Sequence, residues 1–232
     1  NFSDQVGQAF KQRGQNTKKL AIDKIMLDGF KSLENRDFKI ENGEKIMEHA
    51  RSIKSAEEIK AMRCSISACE TSMHIMENKT KPGMTENDIW SILHSENIKR
   101  GGEWIETRLL SSGTKTNPWF QECGSRILQN NEILAFDTDL VGCYSMCTDI
   151  SRTWWVGDRE PTNEMKQDYR IALDHIQQNA ELIAPGVHFK DLTFKGHQLD
   201  NRYKKQQYSC RFHGVGLCDE FPLIAYSEDY EE

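Results

Sequence analysis

The chain has 232 residues, of which 37% are hydrophobic, so it is long enough for one large domain, or for one domain and a fragment. Its formal net charge is −6, and basic residues are scattered among acidic ones, which disfavours nucleic acid or an anionic membrane as a partner. No segment approaches the roughly 20 apolar residues of a membrane helix, and the first residues contain no apolar signal core. We therefore expect a small-molecule partner.

The first 52 residues are polar, and we interpret them as the remnant of a domain that begins earlier. A helix is predicted to begin at Ser55, because Ser55 and Glu58 have the spacing of a capping box. Its apolar residues recur every three or four positions, and Pro82 follows its end. Thr85 and Asp88 predict the start of a second helix in the same way.

Strand-like runs follow at residues 104–110, 132–137 and 144–156. A long helix is predicted at about 162–183, with an apolar side that we expect to be core, and a shorter helix at 190–205. Helices followed by strands, twice over, favour an α+β fold in which helices pack on one side of a mainly antiparallel sheet.

Four residues of the second half have the composition of a metal site. They are Asp137, Asp139, Asp149 and His213. Carboxylates with one imidazole suit divalent ions, and three acids on adjoining strands would repel one another without a cation. We expect Arg152 to orient a metal-bound carboxylate. In the alternative interpretation, the first two acids are turn residues, and Asp149 pairs with Arg152 on the surface.

Seven cysteines are an odd number in a chain too large to need disulfides, which predicts free thiols and a cytoplasmic location. Two cysteine pairs near His213 offer an alternative zinc site, but neither has the two-residue gap of a zinc knuckle. These pairs are Cys143 with Cys147 and Cys210 with Cys218. Burial as small hydrophobic residues is the usual fate of such cysteines.

The order of motifs resembles the pita-bread superfamily of methionine aminopeptidases, prolidases and creatinase. These motifs are IKSAEEIKAMR, SSG followed by NP, a strand ending in aspartate, DISRT and HGVGL. The resemblance, which runs from about Ile53 to Pro222, implies an α+β pita-bread fold with helices on a curved, mainly antiparallel sheet, truncated at its C-terminus. It also implies that residues 1–52 are the remnant of a creatinase-like domain and a linker, and that residues 53–232 are a partial catalytic domain.

In that superfamily, two aspartates, one histidine and two later glutamates hold a pair of divalent ions. Asp137, Asp149 and His213 match the first three, and the glutamates are expected beyond residue 232. Asp139 stands where peptidases have glycine and would add a ligand. The resemblance implies iron, although manganese, cobalt or zinc would also suit the ligands. It further implies a homodimer for the full-length protein.

Two departures disfavour peptide hydrolysis. Peptidases of the superfamily carry a substrate-contacting histidine in the segment that corresponds to residues 117–119, where this chain has Trp119. They carry another in a His-Glu pair after the glycine-rich histidine, where this chain reads Cys218-Asp219-Glu220. Neither imidazole is therefore expected.

Asp-Thr-Asp at 137–139 and HGVGLCDEFPLIAY are similar to one branch of the superfamily, the dimethylsulfoniopropionate lyases. Enzymes of that branch bind iron and release acrylate and dimethyl sulfide. The resemblance implies that Asp219 is the base, a role that requires a pKa raised by desolvation among apolar neighbours. In the alternative interpretation, Asp219 and Glu220 are a solvated pair at a strand end.

The sulfonium group of that substrate is a soft cation, so aromatic faces are expected to bind it. Trp119 and Tyr208 are the candidates, with core packing as the alternative. Two rival functions stay open, namely an Xaa-Pro metallopeptidase and a non-catalytic pita-bread binding module.

Overall fold

The computed structural model describes residues 1–219 and 221–230, which divide into two compact units with a boundary after Ile53. The first unit, residues 1–53, contains three helices and one pair of parallel strands. In chain order these elements are α1 (Phe2–Gln12), β1 (Lys19–Ile22), α2 (Leu27–Glu34), β2 (Lys39–Asn42) and α3 (Glu44–Ser52).

The second unit begins with two long helices, α4 (Ala56–Lys79) and α5 (Glu86–Lys99). The predicted capping box is confirmed, since the Ser55 amide donates to Glu58 Oε2 at 2.7 Å and the Glu58 amide donates to Ser55 Oγ at 3.2 Å. Thr85 caps α5 in the same manner, as predicted. Both helix starts are therefore determined by local sequence.

Six strands follow and form two antiparallel sheets with the orders β4-β5-β8 and β3-β6-β7. Their bounds are β3 (Trp104–Ile105), β4 (Leu110–Ser112), β5 (Glu132–Phe136), β6 (Leu140–Val141), β7 (Cys147–Thr148) and β8 (Arg152–Val156). The prediction of a mainly antiparallel arrangement is confirmed, but the predicted strands at 104–110 and 144–156 are each interrupted. The second is interrupted at residues 149–151, between β7 and β8. It also begins later than predicted, because Tyr144 and Ser145 adopt left-handed φ angles of 62° and 59°, which a strand does not allow.

The core of the second unit lies between helices α4 and α5 and the sheet β4-β5-β8. Its buried residues are Cys69, Met73, Met76, Ile89, Trp90, Leu93, Ile105, Leu110, Cys123, Leu128, Leu134, Phe136 and Leu140. The Trp154 ring packs against the Phe136 ring, with centroids 4.8 Å apart. Each fully buried side chain of this size contributes about 1.5 to 3 kcal/mol to stability, so this layer holds the strand ends in place.

The remaining elements are α6 (Asn163–Glu181), α7 (Phe189–Lys195), α8 (Asn201–Lys204) and the antiparallel pair β9 (Phe212–His213) and β10 (Leu223–Ile224). The predicted helix at 162–183 is confirmed as α6. The predicted single helix at 190–205 is wrong, because extended backbone at Gly196 separates α7 from α8.

The prediction that the apolar side of α6 is core is also wrong. Its large apolar residues are exposed, and Ile176 is 66% exposed. They are Met165, Tyr169, Leu173 and Ile176, with Ile183 after the helix. A period of 3.6 residues shows that a helix has an apolar face and does not show what covers it.

Among the described residues, no helix combines the length and the apolar character that crossing a membrane requires.

Candidate metal centre

Three carboxylates converge at the ends of the strands. Asp137 follows β5, Asp139 precedes β6 and Asp149 follows β7. One carboxylate oxygen from each residue lies within 4.8 Å of the other two. The three acids are therefore brought together as predicted: Asp137 and Asp139 are close in sequence, and the pairing of β6 with β7 brings Asp149 to them.

Thr138 fixes the spacing between these strand ends. Its buried hydroxyl donates to the Thr148 carbonyl at 3.0 Å and accepts from the Ile150 amide at 3.0 Å. The residues beside Asp137 and Asp149 are thus tied to each other through one side chain, which prevents the acids from moving apart.

His213 reaches the acids from the other half of the unit. Its Nε2 lies 3.0 Å from Asp149 Oδ2, and both side chains are partly buried. The next residue, Gly214, lets the backbone after β9 lie close to residues 221–222, since a side chain there would collide with the Phe221 carbonyl oxygen. Asp149 is thus paired with His213 and not with Arg152.

Arg152 does not have the predicted position beside a metal ligand. Its guanidinium donates to the Ser151 carbonyl at 2.8 Å, and its side chain is exposed beside Glu70 and Glu77 of α4. Successive side chains of a strand point to opposite faces, so Ser151 borders the acids while Arg152 faces the helix.

The electrostatics of the cluster favour a cation. Burial and the neighbouring Asp149 carboxylate raise the pKa of Asp137 to about 8. Burial also raises the pKa of Asp139, although a hydrogen bond from Thr107 opposes the rise. Burial would raise the pKa of Asp149 too, but hydrogen bonds from His213 and Asp137 outweigh it and lower the pKa. Without a cation, one proton is therefore retained between Asp137 and Asp149 at neutral pH. A donor set of three carboxylates and one imidazole fits a divalent ion, which would replace that proton.

Thr107 is a site residue that sequence reasoning missed. Its hydroxyl donates to Asp139 Oδ2 at 2.6 Å from the segment between β3 and β4. Such a bond orients the carboxylate through one oxygen and leaves the other oxygen free to bind an ion. No motif marks Thr107 in the sequence.

The remaining predicted residues lie in the same cavity. A cavity of about 430 Å³, within the size range of ligand pockets, is lined by the three acids and by His213, Asp219, Trp119 and Tyr208. Asp219 is only 8% exposed, so a solvated position is excluded for it. Glu220 lies outside the described residues.

An aromatic wall borders this cavity. The Phe120 ring lies between its two predicted members, with centroid distances of 6.2 Å to Trp119 and 5.6 Å to Tyr208. Phe120 is 52% exposed and has a left-handed φ of 65°. Sequence reasoning missed it, although its position directly after Trp119 was a usable signal.

Comparison with known proteins defines the class. Residues 60–232 match the model of metallopeptidase family M24, so the chain belongs to that family and the predicted superfamily is confirmed. The X-Pro aminopeptidase of Thermotoga maritima matches with a TM-score of 0.77 and 22% identity, over 98% of this chain and 65% of that one. The Xaa-Pro dipeptidase of Bacillus anthracis matches with a TM-score of 0.77 and 20% identity, over 97% of this chain and 64% of that one. The α+β pita-bread fold is thereby confirmed.

Sequence identity is higher to two lyases. The chain is 51% identical, over 98% of its length, to the dimethylsulfoniopropionate lyase DddP of Roseovarius nubinhibens. It is 50% identical, over the same share, to DddP of Roseobacter denitrificans. The chain spans 52% of the length of each of these relatives. The predicted resemblance to the lyase branch is confirmed.

Proposed function

We propose that this chain carries the metal site and the proton-abstracting carboxylate of a dimethylsulfoniopropionate lyase. The main support for this proposal is the position of Asp219, a buried carboxylate in the same cavity as the three clustered acids. Identity of 51% to a DddP lyase supports the same reaction.

The ion would be held by Asp137, Asp139, Asp149 and His213. A divalent ion bound there would act as a Lewis acid and stabilise the negative charge that develops on the substrate carboxylate. Thr107 and Thr138 keep the ligand side chains in place through the hydrogen bonds described above.

Asp219 accepts the proton from the carbon beside the substrate carboxylate. As that C–H bond breaks, a carbon–carbon double bond forms and the carbon–sulfur bond breaks. The electron pair of the latter bond leaves with sulfur, which gives dimethyl sulfide and acrylate. A base must lie within reach of the substrate in its pocket, and Asp219 lines the cavity without belonging to the three-acid cluster.

The aromatic wall binds the other end of the substrate. A sulfonium group offers no hydrogen-bond donor and is attracted to the faces of aromatic rings. Trp119, Phe120 and Tyr208 present such rings at the border of the cavity.

Full-length protein supplied with dimethylsulfoniopropionate tests the proposal through dimethyl sulfide in the headspace. We expect Asp219→Asn to lower release at least about 100-fold with unchanged metal content, because only the proton acceptor is lost. Asp174→Asn, an exposed substitution on α6, is the matched control. Loss of metal in Asp219→Asn would make this residue a ligand, and undiminished release would remove it from the reaction.

An Xaa-Pro metallopeptidase is the second candidate, favoured by the family and by the fold of the two solved structures. Against it, His213 is the only histidine among the described residues that line the cavity. Hydrolysis of an Xaa-Pro dipeptide without dimethyl sulfide release would favour this candidate. Purified full-length protein without bound metal would instead favour a non-catalytic module.

We further propose two iron ions, a homodimer and a cytoplasmic location for the full-length protein. Metal analysis, light scattering and cell fractionation respectively test these three statements.

A further inference from the structure

A fully buried carboxylate outside the metal centre interacts with four donors. Glu86, the first residue of α5, is 0% exposed. Its Oε1 accepts from the amide and the hydroxyl of Ser112, at 2.9 and 2.8 Å. Its Oε2 accepts from Lys115 Nζ at 2.7 Å and from the Gly124 amide at 3.1 Å. The cost of burying this charge is offset by these bonds, so the arrangement holds only while all its parts stay in place.

The donors lie at the two ends of one segment, residues 113–124, which we name the aromatic loop because it carries Trp119 and Phe120. Ser112 precedes the loop, Lys115 lies near its start and Gly124 is its end. Lys115 Nζ also donates to the Glu122 carbonyl at 2.6 Å, which ties the loop to itself. One carboxylate therefore closes the base of the loop.

A second ion pair strengthens the same closure. Arg126 donates to the Ser112 hydroxyl at 2.5 Å and to Glu132 Oε2 at 2.8 Å. Gly113, with a φ of 55°, leaves room for this pair, since a Cβ there would lie 2.6 Å from Arg126 Nη2. The base of the loop is thus rigid, while the Phe120 ring at its tip is half exposed beside the cavity.

We propose that Glu86 is a positioning residue that orients the aromatic loop, so that Trp119 and Phe120 form the binding wall for the cationic end of the substrate. The inference rests on the proposed function for the nature of that substrate. Glu86 does not line the cavity, so it acts on binding through the loop alone.

Glu86→Gln separates this role from simple packing. The glutamine side chain has nearly the same volume but only one acceptor oxygen. Its NH2 group must therefore face either the Ser112 donors or the donors of Lys115 and Gly124, and the hydrogen bonds on that side are lost. Glu96→Gln is the matched control, because Glu96 is a second buried glutamate of α5, paired with Lys99 and Arg100 at the far end of the helix.

In full-length protein, we expect Glu86→Gln to raise KM for dimethylsulfoniopropionate about tenfold, with kcat within about twofold and unchanged metal content. Trypsin cleavage after Lys115 should also become about tenfold faster, because the loop base opens more often. Glu96→Gln should change neither quantity. The proposal is overturned if the two variants behave alike, or if Glu86→Gln lowers kcat and leaves KM unchanged.

The two proposals can fail separately. If wild-type protein releases no dimethyl sulfide, the proposed function fails, and trypsin cleavage after Lys115 alone decides whether Glu86 holds the loop. If circular dichroism shows that Glu86→Gln is unfolded, Lys115→Gln replaces it, because Lys115 is partly exposed and its loss removes the bonds that its Nζ donates to Glu86 and to the Glu122 carbonyl. Unchanged KM in that variant overturns the positioning role.

Discussion

Replacing Asp137 with asparagine should stabilise the metal-free protein and abolish its response to metal. In the folded chain the pKa of Asp137 is raised from 3.8 to about 8. Its contribution to stability is therefore fully present below pH 3.8 and is lost as the pH rises to about 8. The full shift corresponds to about 6 kcal/mol. The lowered pKa of Asp149 offsets part of this free energy, so the net gain for Asp137→Asn at pH 8 is expected to be smaller than this, on the order of a few kcal/mol.

Thermal unfolding in the presence of EDTA measures this gain. A change of about 3 kcal/mol corresponds to roughly 10 °C in Tm for a domain of this size. Wild-type Tm should fall between pH 5 and pH 8, whereas the Tm of Asp137→Asn should stay nearly constant. Added divalent metal should restore the wild-type Tm at pH 8 and leave the variant unchanged, because a bound ion stabilises only the fold that binds it. A variant less stable than wild type in EDTA at pH 8 would refute the reasoning, and Asp174→Asn controls for loss of a surface charge.

Three further outcomes are expected. Thr107→Val should weaken metal affinity about tenfold in calorimetric titration, because Asp139 loses the bond that orients it; unchanged affinity would contradict this. Phe120→Leu should raise KM for dimethylsulfoniopropionate more than it changes kcat, and an equal fall in kcat would argue against a binding role. Phe136→Ala should lower the free energy of unfolding by about 3 to 5 kcal/mol in urea titration, because the ring is fully buried, and a loss below 1 kcal/mol would contradict its place in the core.

The parts of the fold that depend on neighbouring residues could be predicted from the sequence. Ser55 with Glu58 and Thr85 with Asp88 determine two helix starts within four residues each. The late start of the strand predicted from Tyr144 could not be predicted, because the left-handed turn at residues 143–145 packs on α4, which lies far away in sequence. The prediction that the apolar face of α6 is buried was wrong for a similar reason. The spacing of apolar residues identifies such a face, but it does not specify which other element packs on it.

The residues of the candidate site also fall into those that the sequence predicts and those that only the tertiary structure reveals. Asp137, Asp149 and His213 lie in motifs that the sequence displays, so their convergence could be predicted. Thr107 acts on Asp139 across 32 residues of chain, and only the pairing of β3 with β6 creates that contact. Phe120 directly follows the predicted residue Trp119, but the position of its ring depends on a left-handed backbone conformation that the sequence does not predict.

The rigidity of the strand ends explains why the charge of the acids has to be balanced by a proton or a cation. Phe136, beside Asp137, is fully buried between the sheet and the helices, and Thr138, on its other side, bridges to the Thr148 carbonyl. Neither neighbour can move without losing core packing or a buried hydrogen bond, so repulsion between Asp137 and Asp149 is not relieved by separation. Charge must be neutralised in place. The geometry that raises the pKa of Asp137 in the metal-free chain is therefore the geometry that favours a divalent ion when one is present.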